Sequence, residues 1–476
     1  MFTARAVSDF SGKPSDFAAL YKHQFQISTA EATKPPRWNR TTINGVCVDT
    51  APDLPITYLQ CASDGLVGLV LGLAIDEQGH LLEGTIDLAD ADGNCSANTL
   101  EAFIETLAGR YVGVVSCGAE KRVYLDPVGD LSAVYNGDKK IVSSTTLFAV
   151  DRDFIDNPLI PFDLVQSEEL SYSLGHTRDA EVRRQFANHY LDLTTFQQVR
   201  HWPKDDTDLT SRETEPEISD IMDRITARLS SVFCEILRKK TCIVPLSGGR
   251  DSRCLVACGL SEIHRAHTLF AWRFHLMSKR DTVVGAEVAA SLDLPFQIFR
   301  DVPTTPADVK LYLRRNGSNL FSSALRSLAL CESLPGNMVM PRGNVMGILR
   351  ATNWRKQEEG TFKIGHALRR LQMGKTKEHS DLHTSIKIDL RAWRASLPEC
   401  GQQKVYDLLW LEVNLTHGQG TRNYGTPNNF VVNPFNDRLC LQLAMQLPLS
   451  LRNTDRAYDM ILDRTAPQLK EFRYNN

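Results

Sequence analysis

Apolar and polar residues follow two different rhythms along this chain. In the first part the apolar residues come as short runs. Residues 66–75, LVGLVLGLAI, predict a strand that breaks at Glu77-Gln78-Gly79. Residues 110–116 and 121–125 flank Cys117-Gly118-Ala119-Glu120 and predict a hairpin. Another strand is expected over 140–144, after the turn Asn136-Gly137-Asp138. Between these runs, Leu100, Phe103, Ile104 and Leu107 recur near a 3.6-residue period, which predicts a helix over 96–108. Strands with an inserted helix point to a layered α+β domain.

The rhythm stops at residues 204–217, which are polar, without apolar periodicity, and look like a linker. Domains over 1–203 and 218–476 follow. Ile221, Ile225, Leu229, Val232 and Phe233 then share one face of a helix over 218–238. From residue 241 strands (242–246, 267–272, 296–299) alternate with helices (253–260, 282–291), the pattern of a parallel sheet with helical crossovers. Beyond about residue 305 the chain reads as helical, with one more strand expected at 338–340.

Composition narrows the class. A chain of 476 residues exceeds one ordinary core, and 42% hydrophobic with 23% charged residues belongs to a folded protein. A net charge of −3 gives no reason to expect nucleic-acid binding. No apolar run approaches the roughly 20 residues that span a bilayer, and the first residues lack the apolar core of a signal peptide, so a cytoplasmic location is expected. The 11 cysteines form no CxxC pair and suit reduced, buried thiols. Cys254 and Cys258 would share a helix face; a metal there would need His264 and His267 as well, and a small buried hydrophobe is the simpler reading.

The chemistry-bearing stretch is Ser247-Gly248-Gly249-Arg250-Asp251-Ser252, between a strand and its helix. Ligands of open α/β sheets bind there, outside the carboxyl ends of the strands. Two glycines let the backbone approach an anion, free N–H groups at the helix start point at it, and Ser247 and Ser252 add hydroxyl donors. Asp251 suits an anion site if it holds Mg²⁺ shared with the phosphates. A plain helix cap by Asp251 or Ser252 would not require two glycines and two serines. Neither GxxxxGK[ST] nor a strand-linked GxGxxG occurs.

SGGxDS after a strand resembles the signature of enzymes that cleave ATP to AMP and pyrophosphate. The second part resembles the synthetase domain of the asparagine synthetase family, whose relatives include β-lactam synthetases and lasso-peptide cyclases. Asp281, with Ala286, Val288 and Ala289 after it, is similar to that domain's second acid and helix, and Asn433-Pro434-Phe435-Asn436-Asp437-Arg438 to its late Pro-Phe-x-Asp-Arg segment. Residues 107–112 and 122–129 with Tyr135 resemble the glutaminase-like domain of the same enzymes. The resemblance implies an α/β protein: an N-terminal α+β sandwich like that of Ntn hydrolases, then a parallel-sheet domain like that of adenine-nucleotide α-hydrolases, with a helical C-terminal part. It implies ATP and Mg²⁺ as cofactors, ATP contacts from Leu246, Ser247, Gly248, Gly249, Arg250, Asp251, Ser252, Arg253 and Ala271, and metal ligation by Asp251 and Asp281. A carboxylate substrate and an amine are the implied partners, with no nucleic acid or membrane, and a homodimer is left open.

The sequence departs from the family in two places. Glutamine-hydrolysing members carry Cys at position 2, with its own α-amino group as base; here Phe2 stands there and the nearest cysteine is Cys47, so an inactive glutaminase-like domain is expected. The family's acidic loop corresponds to residues 340–350, which hold no carboxylate; Arg342 and Arg350 are expected to neutralise phosphates instead. The catalytic candidates are Asp251, Arg342, Glu412 and Lys470. Tyr406 is six residues from Glu412, so the two do not face each other on a helix. The basic stretch 350–377 is a solvated surface or a flap hinged at Gly360, Gly365 and Gly374, and His379 and His383 are expected on a helix surface. The expected function is ATP-dependent amide formation through an acyl-adenylate without glutaminase activity; peptide cyclisation and non-catalytic ATP binding are the alternatives.

Overall fold

The structure, a computed structural model, describes residues 1–62, 64–88, 95–167, 170–273, 276–300, 302–319, 328–354 and 357–474. Arg355 and Lys356 of the basic stretch lie outside them. The protein is mixed α/β with several sheets, antiparallel-rich in the first part and parallel in the second.

The apolar run Gly65–Ile75 pairs antiparallel with Ala108–Cys117, which turns back into Glu120–Leu125. Its side chains alternate, as a strand buried on both faces requires: Leu69, Leu71, Leu73 and Ile75 enter the main core, while Val70 and Ala74 join a second cluster behind. These strands are the centre of a seven-stranded sheet completed by Ile56–Cys61, Gly84–Asp87, His189–Asp192 and Gln198–Arg200. A six-stranded sheet runs in the order Arg183–Arg184, Val134–Asn136, Ile141–Ser143, Phe25–Ser28, Val46–Thr50, Asn39–Ile43. Phe25, Ile27, Val46 and Val48 of this sheet share the core with Leu69, Leu71, Val112 and Val114 of the other. The helix Ala97–Thr106, capped by Ser96, seats Leu100 and Ile104 on the outer face of the seven-stranded sheet. Phe17 of Pro14–Leu20 packs with Trp38, Ile141 and Phe148 outside the other sheet. The layering is helix, sheet, sheet, helix.

The polar tract 204–217 is bound rather than loose. Leu209 is buried, Arg212 N–H donates to the Gln446 carbonyl at 2.8 Å, and Ser211 donates to Glu359 at 3.0 Å. The tract ends in a reciprocal cap, Thr214 with Glu217, that starts the helix Glu215–Lys239.

Beyond it the strands Ile243–Pro245, Thr268–Arg273 and Phe296–Arg300 pair in parallel, in that order. The helices Arg250–Cys258 and Leu276–Ser291 are the crossovers. A second parallel pair, Val339–Pro341 with Phe430–Val432, joins the other edge of Ile243–Pro245 through a parallel bridge from Cys242 to Val339. The chain therefore moves one way from Ile243–Pro245 to the next two strands and later returns on its opposite side. That reversal is a topological switch point, the place beside the carboxyl ends of the strands where open α/β sheets bind ligands, here flanked by the loops leaving Pro245 and Pro341.

The two parts are joined by hydrogen bonds around Asp126 and Asp130. Asn436 Nδ2 donates to Asp126 Oδ1 at 2.7 Å and to the Gly109 carbonyl at 2.6 Å; Asn433 Nδ2 donates to Asp130 Oδ2 at 2.7 Å and Asn423 Nδ2 to Asp130 Oδ1 at 2.9 Å. Asp437 caps the helix Arg438–Gln446 and pairs with Arg228 at 2.6 Å, whose other nitrogen reaches the Asp76 carbonyl. The segment singled out for its Pro-Phe-x-Asp-Arg likeness thus fastens one part to the other.

Candidate functional site

Residues 246–252 leave the carboxyl end of Ile243–Pro245 and open the helix Arg250–Cys258. Leu246 is buried, and its N–H continues the sheet to the Phe270 carbonyl at 2.7 Å. The two serines brace the turn: Ser247 N–H donates to Ser252 Oγ at 3.0 Å, the hydroxyls lie 3.1 Å apart, and Gly249 N–H donates to Ser247 Oγ at 3.1 Å. Gly248 N–H donates to Asp281 Oδ1 at 3.0 Å, so the second predicted acid does come to the loop from a separate helix. No side chain caps Gly249, which leaves the first-turn N–H groups of Arg250–Cys258 without an intrahelical or capping partner. They face the end of the sheet where the helix dipole favours an anion.

Asp251 is held differently. The Tyr458 hydroxyl lies 2.6 Å from its Oδ1, and Arg350 Nη2 is 3.2 and 3.1 Å from its two oxygens. Burial pushes the Asp251 carboxyl above its ordinary value, and Arg350 with the Tyr458 hydrogen bond opposes that push. The loop after Pro341 reaches Asp251 because Gly343 has no side chain: a Cβ there would stand 2.9 Å from the Asp251 carbonyl oxygen. Arg342, next to it, lies with its guanidinium 5.7 Å from the ring centre of Trp272. Burial, then the nearby Arg422, lowers the Arg342 pKa to about 10. Ala271 is buried in the middle of Thr268–Arg273, opposite Ile298.

The side chains of several expected residues are engaged elsewhere. Arg250 pairs with Asp455 at 2.9 Å and lies 3.6 Å from the ring centre of Tyr474. Arg253 is fully buried and donates to the carbonyls of Leu469, Phe472 and Arg473 at 3.1, 2.9 and 2.6 Å. Both arginines tie the C-terminal residues to the helix instead of cradling phosphates, because an α-helical side chain after the first loop residues turns away from the sheet end. Glu412 is no free base: both carboxylate oxygens take Arg200, at 2.6 and 2.9 Å, and Trp393 Nε1 donates to one of them at 2.8 Å, in a fully buried setting. Lys470 is exposed and paired with Asp463 at 2.8 Å. Its ammonium belongs to the surface, and Asp463 holds its pKa above the ordinary value. Tyr406 accepts from Lys363 N–H at 2.8 Å and packs on Trp354, away from Glu412.

Other expectations resolve as simply. Cys254 and Cys258 are buried, all 11 cysteines are free thiols, and among the described residues no group of three or more His, Cys, Asp or Glu could hold a metal. Cys47 lies within the strand Val46–Thr50, while Phe2 N–H is bonded to the Glu31 carbonyl at 2.8 Å. No helix among the described residues is long and apolar enough to cross a membrane. Sequence reasoning missed Tyr458 and Arg422, neither of which sits in a recognisable pattern. A cavity of about 260 Å³ opens beside Arg342 and is lined by Ser173, Asn344, Gln372, Trp410 and Arg422 among others. Compared with known proteins, the chain matches no family model and no curated sequence.

Proposed function

We propose that this protein binds ATP at residues 246–252 and uses it to adenylate a carboxylate, releasing pyrophosphate, before an amine takes the acyl group and AMP departs. The observation that carries this reading is the uncapped helix start at the switch point, next to a braced Ser-Gly-Gly turn. The N–H groups of Arg250, Asp251 and Ser252 would hold the phosphates. The carboxylate oxygen attacks the α-phosphorus and the bond to the pyrophosphate oxygen breaks. The chain's task is to align that attack and to spread positive charge over the leaving group. Arg350 pairs with Asp251 of the loop, and its hold on that carboxylate is one it can exchange for phosphate.

Mg²⁺ brought in with ATP would neutralise charge on the phosphates. Asp281, which accepts from the Gly248 N–H, would hold it, with Asp251 as a second ligand once Arg350 moves to the nucleotide. The reading extends to the architecture: the first part as an Ntn-hydrolase-like sandwich without glutaminase activity, the second as an adenine-nucleotide α-hydrolase-like domain. Free thiols throughout support a cytoplasmic setting.

Exchange of labelled pyrophosphate into ATP, screened over a panel of carboxylic acids with Mg²⁺, tests the proposal. Exchange that depends on one carboxylate is expected; no exchange with any acid, or no ATP binding, overturns it. Release of glutamate from glutamine would overturn the inactive first part separately.

A further inference from the structure

We propose that the cavity beside Arg342 binds a small polyhydroxylated molecule carrying one anionic group, a sugar acid or a sugar phosphate. It lies where the two parts of the chain meet, with Ser171, Tyr172 and Ser173 on one side and Arg342, Asn344 and Arg422 on the other. Two guanidinium groups share this small space. Neither Arg342 nor Arg422 forms a side-chain hydrogen bond or ion pair among the described residues, and Arg422 depresses the Arg342 pKa. The carboxylate that attracts Arg342, Asp130, has both oxygens occupied by Asn423 and Asn433 at 2.9 and 2.7 Å. No carboxylate is therefore hydrogen-bonded to either guanidinium among the described residues, and a guanidinium fork suits carboxylate or phosphate oxygens.

The remaining lining is suited to hydroxyl groups. The amides of Asn344 and Gln372 and the Ser173 hydroxyl have no side-chain partner among the described residues. An amide offers both donors and an acceptor, which a vicinal diol can match. His417 is a wall and not a proton acceptor for the ligand: Gly175 N–H donates to its Nε2 at 3.0 Å and its Nδ1 lies 2.8 Å from the Val413 carbonyl. The π-helical segment Trp410–Gly420 lines one face of the cavity with Trp410, Val413, Asn414 and His417. At about 260 Å³ the space holds a molecule of sugar size and not a folded peptide segment. That the bound molecule is the acyl substrate rests on the adenylation reading; that it binds does not.

The test is calorimetric titration of the full chain, without ATP, using D-gluconate, D-glucose 6-phosphate, D-glucose and inorganic phosphate as probes. One of the two anionic sugars is expected to bind at least about tenfold more tightly than glucose or phosphate. Gluconate binding identifies a carboxylate as the held group, glucose 6-phosphate binding a phosphate. Arg422→Gln should weaken that binding by about tenfold or more and Asn344→Ala by about threefold, with ATP affinity and the thermal melt unchanged. Equal affinity for glucose removes the role of the arginines. Equal affinity for inorganic phosphate reduces the cavity to a bare anion site, and no binding up to about 10 mM of any probe removes the proposal altogether. A parallel ATP titration separates the two readings: sugar binding without ATP binding sinks adenylation alone, and ATP binding without sugar binding sinks this one alone.

Discussion

The seam between the two parts holds two polar patches built on opposite principles. Around Asp126 and Asp130 each of the four carboxylate oxygens accepts at least one hydrogen bond, several of them from asparagines of the other part. Glu412 repeats the arrangement with Arg200 and Trp393. Around Arg342 and Arg422, by contrast, the guanidinium groups have no hydrogen bond or ion pair among the described residues and border open space. Paired polar groups hold a structure in register, because removing one partner strands the other in a low dielectric. Unpaired ones beside a cavity keep their interaction energy for a ligand. The chemistry-bearing loop belongs with the second kind only at its helix start: no side chain caps Arg250–Cys258, while the N–H groups of Ser247, Gly248 and Gly249 are already bonded.

The contrast can be broken most forcefully at Glu412. Replacing it with Ala leaves Arg200 buried without a counter-charge, and a loss of about 3–5 kcal/mol in unfolding free energy is expected from urea titration. A change confined to exchange activity, with stability intact, would move Glu412 from the fastening class to the reactive one. Asp251→Asn should do the reverse. Exchange should fall by about 100-fold or more while the urea midpoint shifts little, since Asn still accepts from Tyr458 and Arg350. Unchanged exchange would remove the loop from the chemistry.

The pH dependence sharpens the same division. His189 is buried and neutral, with burial and Arg200 lowering its pKa to about 4, and burial with Arg184 holds His417 well below its ordinary value. In the unfolded chain both titrate near 6.5, so below that pH the unfolded state takes up protons the folded state refuses. Their contribution is complete above about pH 6.5 and declines as pH falls toward about 4 for His189, by about 1.4 kcal/mol per unit per histidine. Urea midpoints should therefore drop between about pH 7.5 and pH 5.5, and a flat profile would show that the histidines are not shielded. The smallest effect is expected at Lys470. Its exposed pair with Asp463 makes Lys470→Ala neutral to exchange within about twofold, and a large loss would reinstate it as a reacting group.

Much of the second part was legible because apolar runs bounded by Gly and Pro fix short buried strands regardless of context. Strands expected at 242–246, 267–272, 296–299 and 338–340 appear as Ile243–Pro245, Thr268–Arg273, Phe296–Arg300 and Val339–Pro341. In the first part the hairpin and the long strand were equally plain. Asn39–Ile43 was not, since four of its five residues are exposed or half-buried and give no alternation. The loop itself was visible from its residues and spacing, whereas Asp281 was implied only by the family resemblance. For Arg250 and Arg253, proximity in sequence to the loop does not bring the side chain to it; helix direction sends both to the C-terminal residues. Arg200 lies 212 residues before Glu412 and Tyr458 lies 207 after Asp251, separations at which no local pattern signals a contact.

The sequence by itself determined which segments are strands and helices, the turn between residues 246 and 252, and the absence of carboxylates at 340–350, because propensity, apolar period and glycine placement act over a few residues. Only the tertiary structure decided which charges are satisfied. Strand order places the loop after Pro341 against the loop after Pro245, which assigns Arg350 to Asp251; packing elsewhere assigns Arg200 to Glu412 and leaves Arg342 and Arg422 without a hydrogen bond or ion pair among the described residues. A charge's role depends on the dielectric and the partner around it, and both are properties of packing between segments far apart in the chain.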